Sequence, residues 1–113
     1  MKFLFDLFFN FLIVSFSLLQ VASAQDVNIQ LGQEIFSQKC VGCHAGGENL
    51  INPLKPLKIE ALESFGMDSI DAIVKQVTNG NPAGMPPFAG SLSDDEIVSV
   101  ANYVLSQAKQ EAW

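Results

Sequence analysis

Both cysteines and the only histidine of this chain lie within five consecutive positions, as Cys40, Cys43 and His44 of the segment CVGCH. Two thiols and one imidazole therefore share one short stretch of backbone, and any fold must arrange the other residues around it. A chain of 113 residues buries only a thin core by itself. A disulfide, a metal or a bound cofactor is expected to supplement that core, and CVGCH is where we expect it.

Residues 1–24 have the pattern of a secretory signal peptide. Lys2 provides a positive start, residues 11–19 form an apolar run, and residues 22–24 (Ala-Ser-Ala) form a small-x-small cleavage site. The run is shorter than the roughly 20 residues that a membrane-spanning helix needs. We predict a cleaved signal peptide followed by one domain over residues 25–113, without stable membrane insertion. A retained N-terminal anchor is the alternative.

The chain is acidic, with a formal net charge of −6 at pH 7. Lys2 and Asp6 cancel each other, so removal of the leader leaves this charge unchanged. Nucleic acids and anionic lipids bind proteins that present a basic surface. We therefore expect neither as a partner, and we favour a protein partner with a basic surface.

The hydrophobic pattern predicts an all-α domain of about four helices separated by long loops. No segment has the alternation that is typical of a strand. Apolar residues recur at helical spacing over about residues 27–39, 69–79 and 94–110. Pro56 allows a further short helix to begin after it and to run through Ser64.

Several residue types predict where these helices begin and end. Asp68 is a predicted N-cap, Gly80 a predicted stop, and residues 93–96 (Ser-Asp-Asp-Glu) form a capping box. Glycines predict a loop over residues 42–48, and prolines exclude regular structure over residues 81–90. Loops of this length are unusual in a compact domain unless something occupies its centre.

Three kinds of chemistry compete for the segment CVGCH. A thioredoxin-type redox pair needs a preceding strand, whereas the pattern before Cys40 is helical. A structural zinc site needs about four protein ligands, and beyond Cys40, Cys43 and His44 the chain offers only carboxylates. Cys-x-x-Cys-His is also the attachment motif of haem c, in which both thiols bind the haem and the histidine binds its iron. We favour haem c.

The iron of such a haem needs a ligand on its other side, and methionine is the soft candidate. Met85 lies in a proline-rich loop, where Gly84 allows a close backbone approach and Pro86 and Pro87 stiffen the chain. Met67 directly precedes a predicted helix cap, where an apolar residue commonly packs on the first turn. We therefore predict Met85 as the second axial ligand, with core filling as its alternative role.

Two axial ligands from the protein leave no open position for oxygen or peroxide. Thioether sulfur favours reduced iron and raises the reduction potential. This favours an electron carrier over an enzyme. The alternative from a different class is a haem enzyme or gas sensor, which requires a labile sixth ligand.

From residue 25 onwards the sequence resembles the class I cytochromes c and, among them, the cytochrome c6 family. CVGCH alone marks only haem c, whereas CHAGGEN combined with a terminal YVLSQ segment is more specific. The matching segments are GQEIFSQKCVGCHAGGEN, MDSIDAIVKQVTNG, MPPFAG, LSDDEI and ANYVLSQAKQEAW.

The resemblance implies a role for individual residues of the site. Cys40 and Cys43 are expected to form the two haem thioethers, with His44 as the proximal and Met85 as the distal iron ligand. Gln76 matches a polar residue that the family places near the haem. The alternative for Gln76 is a helix residue that faces solvent.

The resemblance also implies a class I cytochrome c fold, with about four helices wrapped around one covalently bound haem c. Gly32 and Phe36 match the positions where the first helix crosses the last, against Tyr103. The missing side chain of Gly32 provides a physical reason for a close crossing.

The function that the resemblance implies is one-electron transfer from the cytochrome b6f complex to photosystem I in the thylakoid lumen, by a monomer that docks transiently. The alternative is a periplasmic respiratory cytochrome c that donates to a terminal oxidase or peroxidase. The chain departs from the family at Ser91, where an arginine is usual, and at Asn81, where a lysine is frequent. The loop at Asn81 is also one residue longer. We therefore expect a face without a local cation around the haem edge.

Overall fold

The computed structural model describes residues 27–113, and the predicted signal peptide, residues 1–24, lies outside this range. Residues 27–113 contain helices and loops, and their only β-type pairing is a single bridge between Ala89 and Leu92. This confirms the all-α prediction. Among these residues, no helix is long and apolar enough to cross a membrane.

The helices follow the predicted order, with one more than expected. The first helix passes directly into a π-helical turn and then into the short second helix, which ends in a 3₁₀ turn. The prediction of a loop starting at residue 42 is therefore wrong, because residues 42–44 complete a helical turn. The elements are α1 (Ile29–Ile35), the π-helical turn (Phe36–Cys40), α2 (Val41–His44), the 3₁₀ turn (Ala45–Gly47), α3 (Ile59–Ser64), α4 (Ile70–Asn79) and α5 (Asp94–Lys109).

The helix boundaries agree with the predicted caps except at the start of α4. Ser69, and not Asp68, is the N-cap there, because its hydroxyl accepts a hydrogen bond from the amide of Ala72 at 3.2 Å. Gly80 ends α4 with a φ of 63°, as expected of a residue without a β-carbon. At α5 the capping box is complete, because the side chains of Ser93 and Glu96 each accept a hydrogen bond from the backbone amide of the other residue.

Helices α1 and α5 cross at a position where only glycine fits. A β-carbon on Gly32 would overlap the backbone carbonyl of Ser99. Next to the crossing, the rings of Phe36 and Tyr103 lie 5.5 Å apart between centroids. The predicted close contact of the first and last helices is therefore confirmed, and it places the start of the π-helical turn against α5.

The C-terminal tryptophan joins this aromatic cluster. Its ring centroid lies 5.2 Å from that of Phe36, and its indole N–H donates to the carbonyl of Leu57 at 2.8 Å. A β-carbon on Gly47 would overlap the indole of Trp113. Trp113 therefore packs between the exit of the 3₁₀ turn and the loop that follows it.

The core lies mainly between α1, α4 and α5. Its size is small, and half of its side chains also border a cavity on one side. The buried apolar residues are Ile35, Phe36, Leu62, Ile73, Val77, Leu92, Ile97, Val100, Ala101, Val104, Leu105 and Ala108.

Candidate haem site

A cavity of about 630 Å³ lies beside the core, bordered by α2 to α5 and two loops. Its size falls in the usual range of ligand and cofactor sites, roughly 300 to 1,000 Å³. The first loop covers residues 48–58 and the second covers residues 80–88. The apolar side chains of the wall include Phe36, Leu57, Leu62, Phe65, Ile73, Val77, Phe88, Val100 and Val104.

The structure brings all the sequence-predicted site residues to the wall of this one cavity. Cys40, Cys43 and His44 border it from the π-helical turn and α2, Gln76 from α4, and Met85 from the second loop. The loop containing Met85 therefore lies within reach of the same bound group as the segment CVGCH.

Helical geometry explains the spacing of the motif. Cys40, Cys43 and His44 stand at positions i, i+3 and i+4, which lie on one face of a helix. The π-helical turn ends at Cys40 and so adjusts the direction of this face relative to α1. Such turns within helices are frequent at functional sites. The local fold thus presents two thiols and one imidazole to the same side.

The two cysteines are free thiols in unequal surroundings. Cys43 is exposed, whereas Cys40 is partly buried. Burial, with a smaller effect of Cys43, raises the pKa of Cys40 to about 11. An ordinary thiol is already protonated at neutral pH, so this shift makes Cys40 still harder to ionise. The two thiols are not joined in a disulfide.

The imidazole of His44 is held by its own loop. Its Nδ1 lies 2.9 Å from the carbonyl oxygen of Glu48. A carbonyl only accepts hydrogen bonds, so Nδ1 is the donor, and in the neutral ring the lone pair of Nε2 is then left for a metal. The carboxylate of Glu48 in turn pairs with Lys58 at 2.7 Å on the surface. When a histidine binds a metal through one ring nitrogen, a hydrogen bond from the other nitrogen, such as the bond from Nδ1 to the Glu48 carbonyl, fixes the orientation of the ring.

Met85 is half-buried and touches the predicted haem neighbour. The amide nitrogen Nε2 of Gln76 donates to Sδ of Met85 at 3.7 Å. Gln76 therefore does not only face solvent, because its side chain borders the cavity and contacts the thioether.

Met67 also borders the cavity, which the sequence did not predict. It is half-buried at the end of the segment after α3, and its amide donates to the carbonyl of Leu62 at 2.7 Å. Met67 packs against the core as expected. The cavity wall therefore contains two thioethers, of which Met85 is the one that contacts Gln76.

The donor set and the cavity fit haem c. Large apolar walls suit a flat macrocycle, and the thiols, the imidazole and a thioether are the groups that attach haem c and ligate its iron. A structural zinc site needs four protein ligands. Residues 27–113 contain no group of three or more His, Cys, Asp or Glu that could hold a metal ion.

The wall of the cavity contains cations, although neither stands at the two positions that the resemblance singled out. Positions 81 and 91 are uncharged, but Lys39 and Lys55 border the cavity. Nζ of Lys55 lies 4.7 Å from the ring centroid of Phe65, in the cation–π range. The lysine lies in the first loop, and the sequence alone did not indicate that this loop folds over the cavity.

Comparisons with known proteins give the family of the chain. Residues 27–104 match the family described as cytochrome c oxidase, cbb3-type, subunit III. The chain is 55% identical to cytochrome c6 of Bumilleriopsis filiformis over 74% of this chain and 95% of that one. It is 49% identical to cytochrome c6 of Porphyra purpurea over 93% and 90%. The structure of cytochrome c6 from the diatom Phaeodactylum tricornutum superposes with a TM-score of 0.71 at 45% identity, covering 74% and 97%.

The helical fold, the CVGCH turn and these likenesses define a c-type cytochrome of class I. Within that class, the chain belongs to the cytochrome c6 family. It carries covalently attached haem c, and it is an electron carrier and not an enzyme.

Proposed function

We propose that Cys40 and Cys43 form the thioether links to the haem, that Nε2 of His44 is the proximal iron ligand, and that Sδ of Met85 is the distal one. The observation that carries this assignment is the meeting of these four side chains at one apolar cavity. The hydrogen bond from Nδ1 of His44 to the carbonyl of Glu48 supports it, because it leaves Nε2 free.

When bound, haem c supplies a one-electron couple. The chain's own residues set its surroundings. His44 and Met85 would both bind its iron, and the iron would then have no open position for a small molecule. Apolar side chains of α4 and α5, such as Ile73, Val77 and Val100, exclude water from the buried side. The protein thus carries charge with little rearrangement of its ligands.

We further propose that the chain is a monomeric carrier that takes one electron from the cytochrome b6f complex and delivers it to photosystem I in the thylakoid lumen. Membership of the cytochrome c6 family supports this pathway, and the export signal predicted over residues 1–24 agrees with a lumenal location. The second candidate is a periplasmic respiratory carrier, which would keep the same ligands and deliver to a terminal oxidase or peroxidase.

The charge of the surface bears on the docking step. Acidic residues lie exposed on α3, α4 and the segment between them, at Glu60, Glu63, Asp68 and Asp71. They attract a basic patch on a partner over about a Debye length, roughly 8 to 10 Å at moderate salt. Lys55, at the cavity, adds a cation that an acidic spot on the partner would attract. Charge of this kind mainly sets the rate and orientation of encounter.

Flash kinetics with haem-loaded protein test the proposal. We expect photosystem I particles to oxidise the reduced protein in a second-order reaction that slows as salt rises, since attraction is being screened. Ser91→Arg should speed this reaction where an acidic spot faces the site. Lys55→Gln should slow it more than Lys109→Gln, the matched change on the exposed end of α5. No oxidation by photosystem I, together with fast oxidation by a terminal oxidase, would favour the respiratory alternative.

A further inference from the structure

The loop that holds Met85 contains a residue whose side chain bonds directly to the backbone of that loop. Oδ1 of Asn81 accepts hydrogen bonds from the amide of Gly84 at 3.1 Å and from the amide of Met85 at 3.3 Å. The amide of Asn81 donates to the carbonyl of Met85 at 3.0 Å. Both backbone polar groups of Met85 are therefore bonded to one residue, four positions earlier in the chain.

The composition of the loop explains why a side chain takes this role. Pro82, Pro86 and Pro87 have no backbone N–H, so this segment cannot build a regular ladder of backbone hydrogen bonds. Asparagine side chains replace a backbone acceptor in turns of this type. Gly84 has a φ of 137°, a conformation that favours glycine, and its amide points back to Asn81.

The base of the loop is closed just as tightly. A β-carbon on Gly80 would overlap the carbonyl of Met85. At the end of the loop, the amides of Phe88 and of the next residue, Ala89, donate to carbonyls in the last turn of α4, at 3.0 and 3.2 Å. The loop is therefore anchored at both ends, and Asn81 links its start to Gly84 and Met85 in its middle.

We propose that Asn81 is a positioning residue for Met85, which holds the backbone of Met85 so that its thioether stays directed to the haem iron. The proposal rests on the assignment of Met85 as distal ligand. A thioether is a weak ligand, so its occupancy of the iron depends on how firmly the loop holds it. Without the bonds to Asn81, Met85 leaves the iron more often, and an external ligand competes better for that position.

The first loop contains a matched control. Oδ1 of Asn49 accepts from the amide of Asn52 at 2.9 Å, and its Nδ2 donates to the carbonyl of Lys55 at 3.0 Å. Asn49 borders the same cavity. Asn49→Ala therefore removes an equivalent cross-link beside the cavity without touching the loop of Met85.

The test compares haem-loaded Asn81→Ala, Asn81→Asp, Asn49→Ala and Met85→Ala with the unchanged protein. The readouts are the affinity of the ferric protein for imidazole and the sulfur-to-iron absorption band. For Asn81→Ala we expect imidazole to bind about tenfold more tightly, equivalent to 1.4 kcal/mol, and the band to weaken on mild warming. Asn81→Asp keeps the acceptor oxygen and should stay within about twofold of the unchanged protein, as should Asn49→Ala.

Unchanged imidazole affinity and an intact band in Asn81→Ala would overturn the inference, provided that Met85→Ala loses the band. An equal gain of affinity in Asn81→Ala and Asn49→Ala would also overturn it, because that result indicates general loosening of the cavity. A band that survives in Met85→Ala would instead refute the ligation itself, and with it the inference that rests on it.

Discussion

Replacing Gln76 by leucine should lower the reduction potential of the protein. Nε2 of Gln76 donates to Sδ of Met85 at 3.7 Å. Electron density on the sulfur stabilises ferric iron more than ferrous iron. A hydrogen bond to the sulfur withdraws some of this density and so disfavours the ferric form. Loss of the hydrogen bond therefore favours the ferric form. A hydrogen bond contributes about 0.5 to 1.5 kcal/mol net. Only the part of this energy that differs between the ferrous and the ferric protein shifts the potential, so at 59 mV per tenfold change for one electron the decrease is at most about 60 mV.

Spectroelectrochemical titration of the haem-loaded protein measures this change. Leucine is a good helix former of similar length, so α4 is expected to remain intact. Gln33→Leu, on the exposed side of α1, is the matched control and should leave the potential unchanged. An unchanged or higher potential in Gln76→Leu, with the sulfur-to-iron band retained, would show that the amide does not act on the sulfur.

Three further predictions concern the fold and the attachment of haem. Gly32→Ala should lower the free energy of unfolding by about 1 to 3 kcal/mol, because the added methyl group overpacks the crossing of α1 and α5. Urea titration measures this change, and an unchanged midpoint would contradict the close contact of the two helices at Gly32. Cys40→Ala or Cys43→Ala should leave one thioether, and the double change should abolish haem staining on denaturing gels and leave an apoprotein without a cooperative unfolding transition. Hydrogen bonds from Ser93 lower the pKa of Glu96. The Glu96 carboxylate therefore stabilises the fold above its unfolded pKa, and this contribution is lost as the pH falls through its folded pKa. In Glu96→Gln, an acid titration of the free energy of unfolding should accordingly show a shallower loss of stability below about pH 4.

The fold could be predicted from the sequence wherever local rules act. The capping box at Ser93, the stop at Gly80 and the apolar stripes of α4 and α5 depend on neighbours within one or two turns. The close crossing at Gly32 was predicted from the resemblance to the family, and the missing side chain of glycine gave a physical reason for it. The cap of α4 was misassigned because Asp68 and Ser69 are both good capping residues, and only backbone direction decides between them.

The features that the sequence could not predict depend on how the two long loops fold. Composition indicates that residues 48–58 and 80–88 are irregular but not where they lie. The position of Lys55 above Phe65 and the presence of Met67 in the cavity wall therefore required the structure. Asn81 was noted only as an uncharged position, although an asparagine before a Pro-Ala-Gly sequence is a turn signal that indicates a side-chain acceptor.

The packing of Trp113 gives the protein a built-in optical reporter. It is the only tryptophan of the chain, and its indole packs on the ring of Phe36, which itself borders the cavity. Haem absorbs light at the wavelengths where indole emits, so energy transfer at this short range quenches the fluorescence. Emission from this single residue therefore follows the filling of the cavity during maturation, and its return during unfolding marks the moment at which the C-terminal segment separates from the haem.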